Sequence, residues 1–306
     1  MIPSAGPIAC CRSCPDRQST RLRWGVGVTT APRQDPTLRT CVQSLVDAGW
    51  QPTVFAEPET DLSALPPQAP VITRPQRLGC WHNWLTMCRD LLEQHPRAEA
   101  ILTVQDDTLF HRQALEFVDQ QLWPADPERI GFVSLYTPQH YSHQVDLLDA
   151  QGRRVYRGGS WHHARARARR HSGWRLTLGP QKPTGWQQVV TRSLWGACAM
   201  VFPRRSLERI IEHPIARHWT GANPNPLRPP ADVRNSDTAI GKIVRTLKLQ
   251  QWWHVPSLTD HIAQHSTLGH GGREGRRHAP SFDPTVNLLS LSPECIPAAG
   301  EPLVTK

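Results

Sequence analysis

Strand-like and helix-like segments alternate along the first third of the chain, and this order restricts the possible folds more than any other feature. Apolar, β-prone segments at 24–33, 51–58 and 100–105 are separated by amphipathic helical patterns at 36–50 and 81–95. Strands connected through helices normally pair in parallel, with the helices covering the sheet. The sequence therefore predicts an α/β fold with a mixed, mainly parallel sheet flanked by helices.

These predicted strands end in polar residues, and the third runs into two adjacent carboxylates. Thr30 lies at the end of the first strand, Glu57 at the end of the second, and Asp106 and Asp107 follow the third. Ligands of open α/β sheets bind beyond the carboxyl ends of the strands. Adjacent carboxylates repel each other, and a hard divalent cation such as Mg²⁺ or Mn²⁺ removes that repulsion. We therefore expect a cation and a phosphorylated ligand here; the alternative is a solvated turn that caps the next helix.

Two downstream segments offer further chemistry. In "VRNSDTAIGK", Asp237 occupies the first turn of a predicted helix, where it can act as a helix cap or as a general base for an acceptor hydroxyl. A polar segment at 255–272 follows a short strand, and one imidazole from it could complete a Mn²⁺ site. Its candidate ligands are His261, His265 and His270.

Composition and charge indicate which ligands and which cell compartment to expect for this protein. The chain has 306 residues, with 35 Lys and Arg against 26 Asp and Glu, and its net charge of +9 permits an anionic ligand. No run of about 18 apolar residues is present, and the first 20 residues lack the pattern of a signal peptide. We therefore expect a cytoplasmic protein with reduced cysteines. Three cysteines near the start (Cys10, Cys11 and Cys14) have no second ligand pair at zinc-site spacing.

The segment composition predicts one main domain with irregular ends. Residues 1–21 resemble a disordered leader, residues 22–270 form the domain, and residues 271–306 form an irregular tail. An arginine-rich insertion at 156–175 fits neither helical nor strand periodicity and is interpreted as a loop.

Three interpretations of the 156–175 insertion remain open. Its arginines could contact phosphates while Trp161 and Trp174 stack on bases, which would indicate nucleic-acid binding. It could also be a solvated loop, or a loop that recognises an anionic acceptor glycan. A nucleic-acid binder has no need of the Asp106–Asp107 pair, so we do not expect nucleic acid as the main partner.

An ordered set of short motifs resembles the GT-A-type glycosyltransferases. The last of them is similar to the C-terminal signature of the N-acetylglucosaminyltransferases that branch N-glycans. The motifs are "TTAPR" (29–33), "VFAEP" (54–58), "NW" (83–84), "QDD" (105–107), "WGACAMVFPR" (195–204), "NSDTAIG" (235–241) and "PSLTDHIAQHSTLG" (256–269). Two positions depart from the family pattern: Gln105 replaces the first acid of a full DxD motif, and Ala263 stands where the signature usually has glycine.

The resemblance assigns a role to each matching residue. Asp107 corresponds to the metal ligand on the sugar-nucleotide diphosphate, and His261 to the C-terminal metal ligand, with His265 the less favoured choice. Asp237 corresponds to the general base of inverting members. The positions that correspond to nucleotide contacts are Thr30, Arg33, Glu57, Asn83 and Asp106.

Together these roles imply a Mn²⁺- or Mg²⁺-dependent glycosyltransferase of the hexosyltransferase type. Its donor would be a nucleotide-sugar, with a UDP-sugar favoured, and its acceptor a hydroxyl of a glycan or another molecule. With Asp237 as the general base, the resemblance favours inversion of the anomeric configuration, and retention stays open as an alternative. A metal-dependent nucleotidyltransferase or hydrolase using the same ligands, and a binding protein without catalysis, remain as alternatives.

Overall fold

The computed structural model describes residues 21–34, 36–157, 161–189, 194, 196–219, 236–264 and 277–291. Its strands are β1 (Trp24–Thr30), β2 (Thr53–Ala56), β3 (Val71–Thr73), β4 (Ala100–Gln105), β5 (Thr108–Phe110), β6 (Ile130–Ser134), β7 (His143–Leu148), β8 (Arg154–Arg157), β9 (Arg175–Gln181), β10 (Gly185–Gln188), β11 (Ala199–Pro203), β12 (Gln250–Val255) and β13 (Thr259–His261). Its helices are α1 (Leu38–Asp47), α2 (Gly79–Gln94), α3 (Ala114–Gln121), α4 (Gln139–Ser142), α5 (Trp161–Ala168), α6 (Arg204–Glu212), α7 (Pro214–His218) and α8 (Ser236–Thr246), with short 3₁₀ helices at Pro127–Arg129 and Leu288–Ser290.

An eight-stranded sheet organises the chain in the order β10-β12-β6-β11-β4-β1-β2-β3. The pairs β1–β2, β1–β4, β2–β3 and β6–β12 are parallel. Strand β11 runs antiparallel to both β4 and β6, and β10 runs antiparallel to β12. The predicted fold class, a mixed and mainly parallel sheet flanked by helices, is confirmed.

The central strands are buried on both faces, which explains their nearly continuous apolar sequence. In β4, Leu102 packs into the core cluster beneath α1 and α3, whereas Ile101 packs into the cluster beneath α2, α6 and α8. Helix α2 lies close to β1 at Gly27, where a Cβ atom would stand 2.7 Å from the Met87 sulfur. The strand–helix alternation predicted between 24 and 105 is observed, with α1 on one face of the sheet and α2 on the other.

The arginine-rich insertion is a folded unit and not the loop that its sequence suggests. Strands β8, β7 and β9 form a separate antiparallel sheet, and α5 packs on it through Ala164, which is fully buried. We call residues 143–182 the basic lobe. Alanine and arginine are both good helix formers, but an inward face made of alanines leaves no recognisable hydrophobic period. For that reason the pattern of α5 could not be detected.

Residues 277–291 pack against the domain although they contain only a 3₁₀ turn. Leu288 is buried in the core beneath α3, and Ala279 packs with Tyr136 and Cys198. Asp260 anchors this segment by accepting hydrogen bonds from the Ala279 amide (2.7 Å) and pairing with His278 (2.8 Å). Within the described ranges, none of the helices combines the length and apolarity that a membrane crossing requires.

Candidate functional site

The Asp106–Asp107 pair is buried at the carboxyl end of β4 and is partly neutralised by Arg33. Each aspartate is 6% exposed. The Arg33 guanidinium lies 2.7 Å from Asp106 Oδ1 through Nη1 and 3.1 Å from Asp107 Oδ2 through Nη2. Thr30, at the end of β1, donates its hydroxyl to Asp106 Oδ2 at 2.6 Å. The parallel pairing of β1 with β4 thus brings Thr30, Arg33 and both carboxylates together.

The two carboxyl groups differ in acidity because their partners differ. Burial raises the pKa of Asp106 to about 7, and this rise is limited by the charge of Arg33 and the Thr30 hydrogen bond. Burial acts on Asp107 in the same direction, but the hydrogen bond and charge of His261, together with Arg33, outweigh it and hold the pKa of Asp107 below its usual range. Asp107 is therefore the carboxylate that stays ionised and the stronger ligand for a cation.

Strand pairing also positions His261. Strand β13 runs antiparallel to β5, with His261 opposite Thr108, the residue after Asp107. The Ile262 amide donates to the Asp107 carbonyl at 2.9 Å and fixes this register. As a result, His261 Nε2 lies 3.3 Å from Asp107 Oδ2. The fold thus brings together Asp107 and His261, the two residues to which the resemblance gives the role of metal ligands. His265 and His270 lie outside the described residues.

The donor atoms around Asp107 fit a small divalent cation. Among the described residues, ligand atoms of Asp107, Cys198 and His261 lie within 4.8 Å of one another. Asp107 Oδ1 and His261 Nδ1 are buried, and neither has a hydrogen-bond partner within the described part of the chain. Burial raises the pKa of the Cys198 thiol well above its usual value, so this sulfur is protonated and a poor ligand. The remaining carboxylate and imidazole are ligand types that divalent cations such as Mn²⁺ accept.

Asp237 is held by backbone amides at the start of α8. Its two carboxylate oxygens accept hydrogen bonds from the amides of Gly196 (2.9 Å) and Ala197 (3.2 Å). Gly196 has a φ of 82°, and a Cβ atom there would lie 2.6 Å from the Tyr136 ring, so only glycine fits this turn. Burial raises the pKa of Asp237, while these amides oppose the rise. A half-buried carboxylate with a raised pKa is suited to accept a proton.

The N-termini of α2 and α8 meet beside Asp237. Cys80 Sγ, in the first turn of α2, lies 3.6 Å from Ser236 Oγ, the first residue of α8. The charges of Asp237 and Asp107 both raise the pKa of the Cys80 thiol, after the larger effect of burial. Helix N-termini favour bound anions, so their convergence next to the carboxylate pair suits a phosphate-bearing ligand.

Glu57 and Asn83 make contacts that position α2. Glu57 accepts hydrogen bonds from the amides of Leu78 (2.8 Å) and Gly79 (2.9 Å), and so caps this helix. Asn83 donates to the Phe55 carbonyl at 3.1 Å and accepts from Arg74 Nε at 3.0 Å. Of the residues predicted for nucleotide binding, Thr30, Arg33 and Asp106 thus cluster at the carboxylate pair, whereas Glu57 and Asn83 hold the neighbouring helix.

Sequence reasoning missed Arg277, which lies beside the candidate base. The Tyr136 hydroxyl donates to the Arg277 carbonyl, and the positive charge of Arg277 lowers the pKa of Asp237. Arg277 falls in a segment without periodicity or a recognisable motif, so no sequence signal marked it. Cys198 was also missed, since a single cysteine in an apolar strand is indistinguishable from a core residue.

No protein-family model matches the chain, and no curated protein matches it. Among solved structures, a similar arrangement occurs in the crystal structure of GalNAc-T7 with UDP, GalNAc and Mn²⁺. The two chains are 9% identical with a TM-score of 0.47, and the match covers 80% of this chain and 44% of the other. The chain thus spans less than half the length of that protein. A likeness at this level carries no information about activity, substrate or metal, so the function must be argued from this chain's own residues.

Proposed function

We propose that this protein is a metal-dependent glycosyltransferase of the GT-A type, which moves a sugar from a nucleotide-sugar to an acceptor hydroxyl. The observation that carries the proposal is the buried Asp106–Asp107 pair at the carboxyl end of β4. Arg33 neutralises part of its charge, and Asp107 Oδ1 remains without a described partner beside His261. Such a cluster, at the sheet edge where α/β folds bind ligands, suits a cation that carries a diphosphate.

Each residue of the site has its own role in the proposed reaction. Asp107 and His261 would hold Mn²⁺ or Mg²⁺, which would neutralise charge on the departing nucleoside diphosphate. Arg33 and Thr30 hold the carboxylates in place. Asp237 is the base: it removes the proton from the acceptor hydroxyl as that oxygen attacks the anomeric carbon, and attack from the opposite side of the leaving group inverts the configuration.

A UDP-sugar is the favoured donor, on the resemblance of the motifs to N-acetylglucosaminyltransferases. The products separate this proposal from its rivals. A transferase gives a nucleoside diphosphate and a glycosylated acceptor, a hydrolase gives free sugar in the absence of an acceptor, and a nucleotidyltransferase consumes a nucleoside triphosphate.

Thermal unfolding with a panel of nucleotides and nucleotide-sugars, with and without Mn²⁺, tests the proposal first. A ligand that binds only the folded state raises the melting temperature, by about 2.7 kcal/mol of stabilisation at 100 times its Kd. We expect a Mn²⁺-dependent shift with one nucleotide-sugar that disappears in Asp107→Asn. The exposed carboxylate Asp61, changed to Asn, serves as the matched control and should keep the shift. Absence of any shift across the panel would refute the proposal.

A further inference from the structure

Most of the excess positive charge of the chain lies in the basic lobe. Residues 143–182 contain nine basic residues and two aspartates, a net charge of +7 out of +9 for the whole chain. Both aspartates are buried and already paired, Asp146 with Arg154 and Asp149 with Arg153. The outer surface of this small unit therefore carries almost only positive charge.

Five further arginines of the lobe are exposed, and none of them has an acidic partner among the described residues. Within the described ranges, no carboxylate pairs with Arg165, Arg167, Arg169, Arg170 or Arg175, and all five are exposed. The Arg169 amide donates to the Arg165 carbonyl at 3.1 Å, so these two side chains leave the same side of one helical turn. Like charges at this spacing destabilise a helix. A bound polyanion would relieve that repulsion.

The described part of the lobe does not present the features that a membrane or a nucleic acid would need. Its described aromatic rings are engaged, because Arg167 covers the Tyr156 ring at 5.0 Å and His171 stacks on Trp174 at 3.9 Å. Stacking on bases requires an accessible ring face. Helix α5 directs its alanine side into the lobe, and the single large apolar side chain exposed on the described part of the lobe is Val155. The described side chains therefore form no apolar face for insertion into a bilayer.

The lobe is attached next to the candidate base. The chain leaves β6 at the same sheet edge as the carboxylate pair and passes Tyr136 and Pro138, which both contact the position where a Gly196 Cβ would lie. Gly196 is the residue whose amide holds Asp237. The lobe begins five residues after Pro138, and Tyr141 packs on Trp253 of the main sheet at 4.5 Å between ring centres. A polymer bound along the lobe would therefore lie near the residue that is proposed to deprotonate the acceptor.

We infer that the basic lobe binds an acidic polysaccharide, whose hydroxyl groups make it the acceptor class of this enzyme. Anionic groups spaced along a hydrophilic chain match a surface whose described residues offer guanidinium charge without a free aromatic ring or an apolar patch. The assignment as acceptor rests on the proposed transferase function. Binding of the polysaccharide to the lobe is independent of that function, because it requires neither a nucleotide nor a metal.

Affinity for defined polymers, measured by fluorescence anisotropy or calorimetry, tests this inference. The probes are polygalacturonate and dextran sulfate, with neutral dextran, a single-stranded oligonucleotide and phosphatidylglycerol vesicles as comparisons. The lobe variant replaces Arg165, Arg169, Arg170 and Arg175 by Gln. The control variant replaces four exposed arginines elsewhere, Arg39, Arg89, Arg97 and Arg129, by Gln, so both variants lose the same charge.

We expect the acidic polysaccharides to bind and neutral dextran not to bind, with affinity that weakens as salt is added. The lobe variant should lose on the order of 10- to 100-fold in affinity and the control variant less than about 3-fold, since each exposed ion pair contributes little by itself. Equal losses in both variants, or no polysaccharide binding at all, would overturn the inference. Tighter binding of the oligonucleotide or the vesicles than of every polysaccharide would also overturn it and identify a different partner.

The polysaccharide result and the donor result are separable. Asp107→Asn should abolish the Mn²⁺-dependent donor shift while leaving polysaccharide affinity unchanged. A protein that binds the polysaccharide but shows no donor shift would refute the transferase function alone. A donor shift without polysaccharide binding would refute the inference about the lobe alone.

Discussion

Replacing Arg33 by Met should strongly destabilise the protein, because it leaves two buried carboxylates without their shared cation. The guanidinium contacts Asp106 at 2.7 Å and Asp107 at 3.1 Å, and all three side chains are less than a tenth exposed. At an effective dielectric constant of about 20, each contact contributes roughly 5–6 kcal/mol of Coulomb attraction. The desolvation of three buried charges offsets several kcal/mol of this. Removing the cation from such a group typically costs about 3–5 kcal/mol, and we expect that loss.

Urea unfolding of the metal-free protein measures this effect. Arg39→Met is the matched control, since Arg39 is exposed on α1, and its cost should stay within about 0.5 kcal/mol. A second change, Asp106→Asn in the Arg33→Met background, should recover part of the loss, because without Arg33 the buried Asp106 must either stay charged beside Asp107 or take up a proton. Mn²⁺ at about 100 times its Kd should also restore about 3 kcal/mol to Arg33→Met. A cost below about 1 kcal/mol, with no recovery in the double variant, would show that Arg33 does not balance the pair.

Four further predictions follow from the site and its surroundings. Asp237→Asn should lower kcat by roughly 10²- to 10⁴-fold in a nucleotide-release assay while keeping the Mn²⁺-dependent donor shift; loss of the shift would place Asp237 in binding instead. Gly196→Ala should cost about 1–3 kcal/mol in urea unfolding, since alanine is strained at a φ of 82° and meets the Tyr136 ring, and a cost near zero would contradict the described turn. Glu57→Ala should cost about 1 kcal/mol through loss of the α2 cap, yet leave nucleotide affinity unchanged if capping is its role. Burial lowers the pKa of His254 from 6.5 to about 4, so its contribution to stability is present above pH 6.5 and is lost as the pH falls towards 4; the stability of His254→Gln should depend less on pH across this window, and an unchanged slope would exclude His254 as the cause.

The sequence predicted the helices and strands that are long enough to show a pattern of apolar residues within one continuous stretch of chain. Helix α1 and strands β1, β2 and β4 lie inside the ranges predicted from apolar spacing, and α2 begins at Gly79, two residues before its predicted start. The order of these elements implied the parallel pairing that is observed. The sequence did not reveal three-residue strands such as β5 and β13. A strand that short shows no periodicity, and it is ordered only by its partner, which lies about 150 residues away in the chain.

The same distinction applies to the candidate site. Asp106 and Asp107 could be identified because adjacent acids after an apolar strand are conspicuous in the sequence. The contacts of Arg33 with both of them, and the Gly196–Ala197 amides that hold Asp237, depend on segments far apart in the chain meeting in three dimensions. Local sequence reasoning can therefore name a charged residue, but its balancing partner emerges only from the tertiary structure.

That balance explains why two adjacent carboxylates can be buried at the end of β4. With both aspartates ionised, the group formed with Arg33 carries a net charge of −1. The oxygen that has no hydrogen-bond partner among the described residues belongs to Asp107, next to His261. A divalent cation would change this net charge to +1, which complements the negative charge of a diphosphate. Because Arg33 contacts both aspartates in the folded chain without a metal, the charge of the pair is partly neutralised before any cation binds. The carboxylates can then be held in place without the folded state depending on a metal, and a bound divalent cation would relieve the repulsion that remains between them.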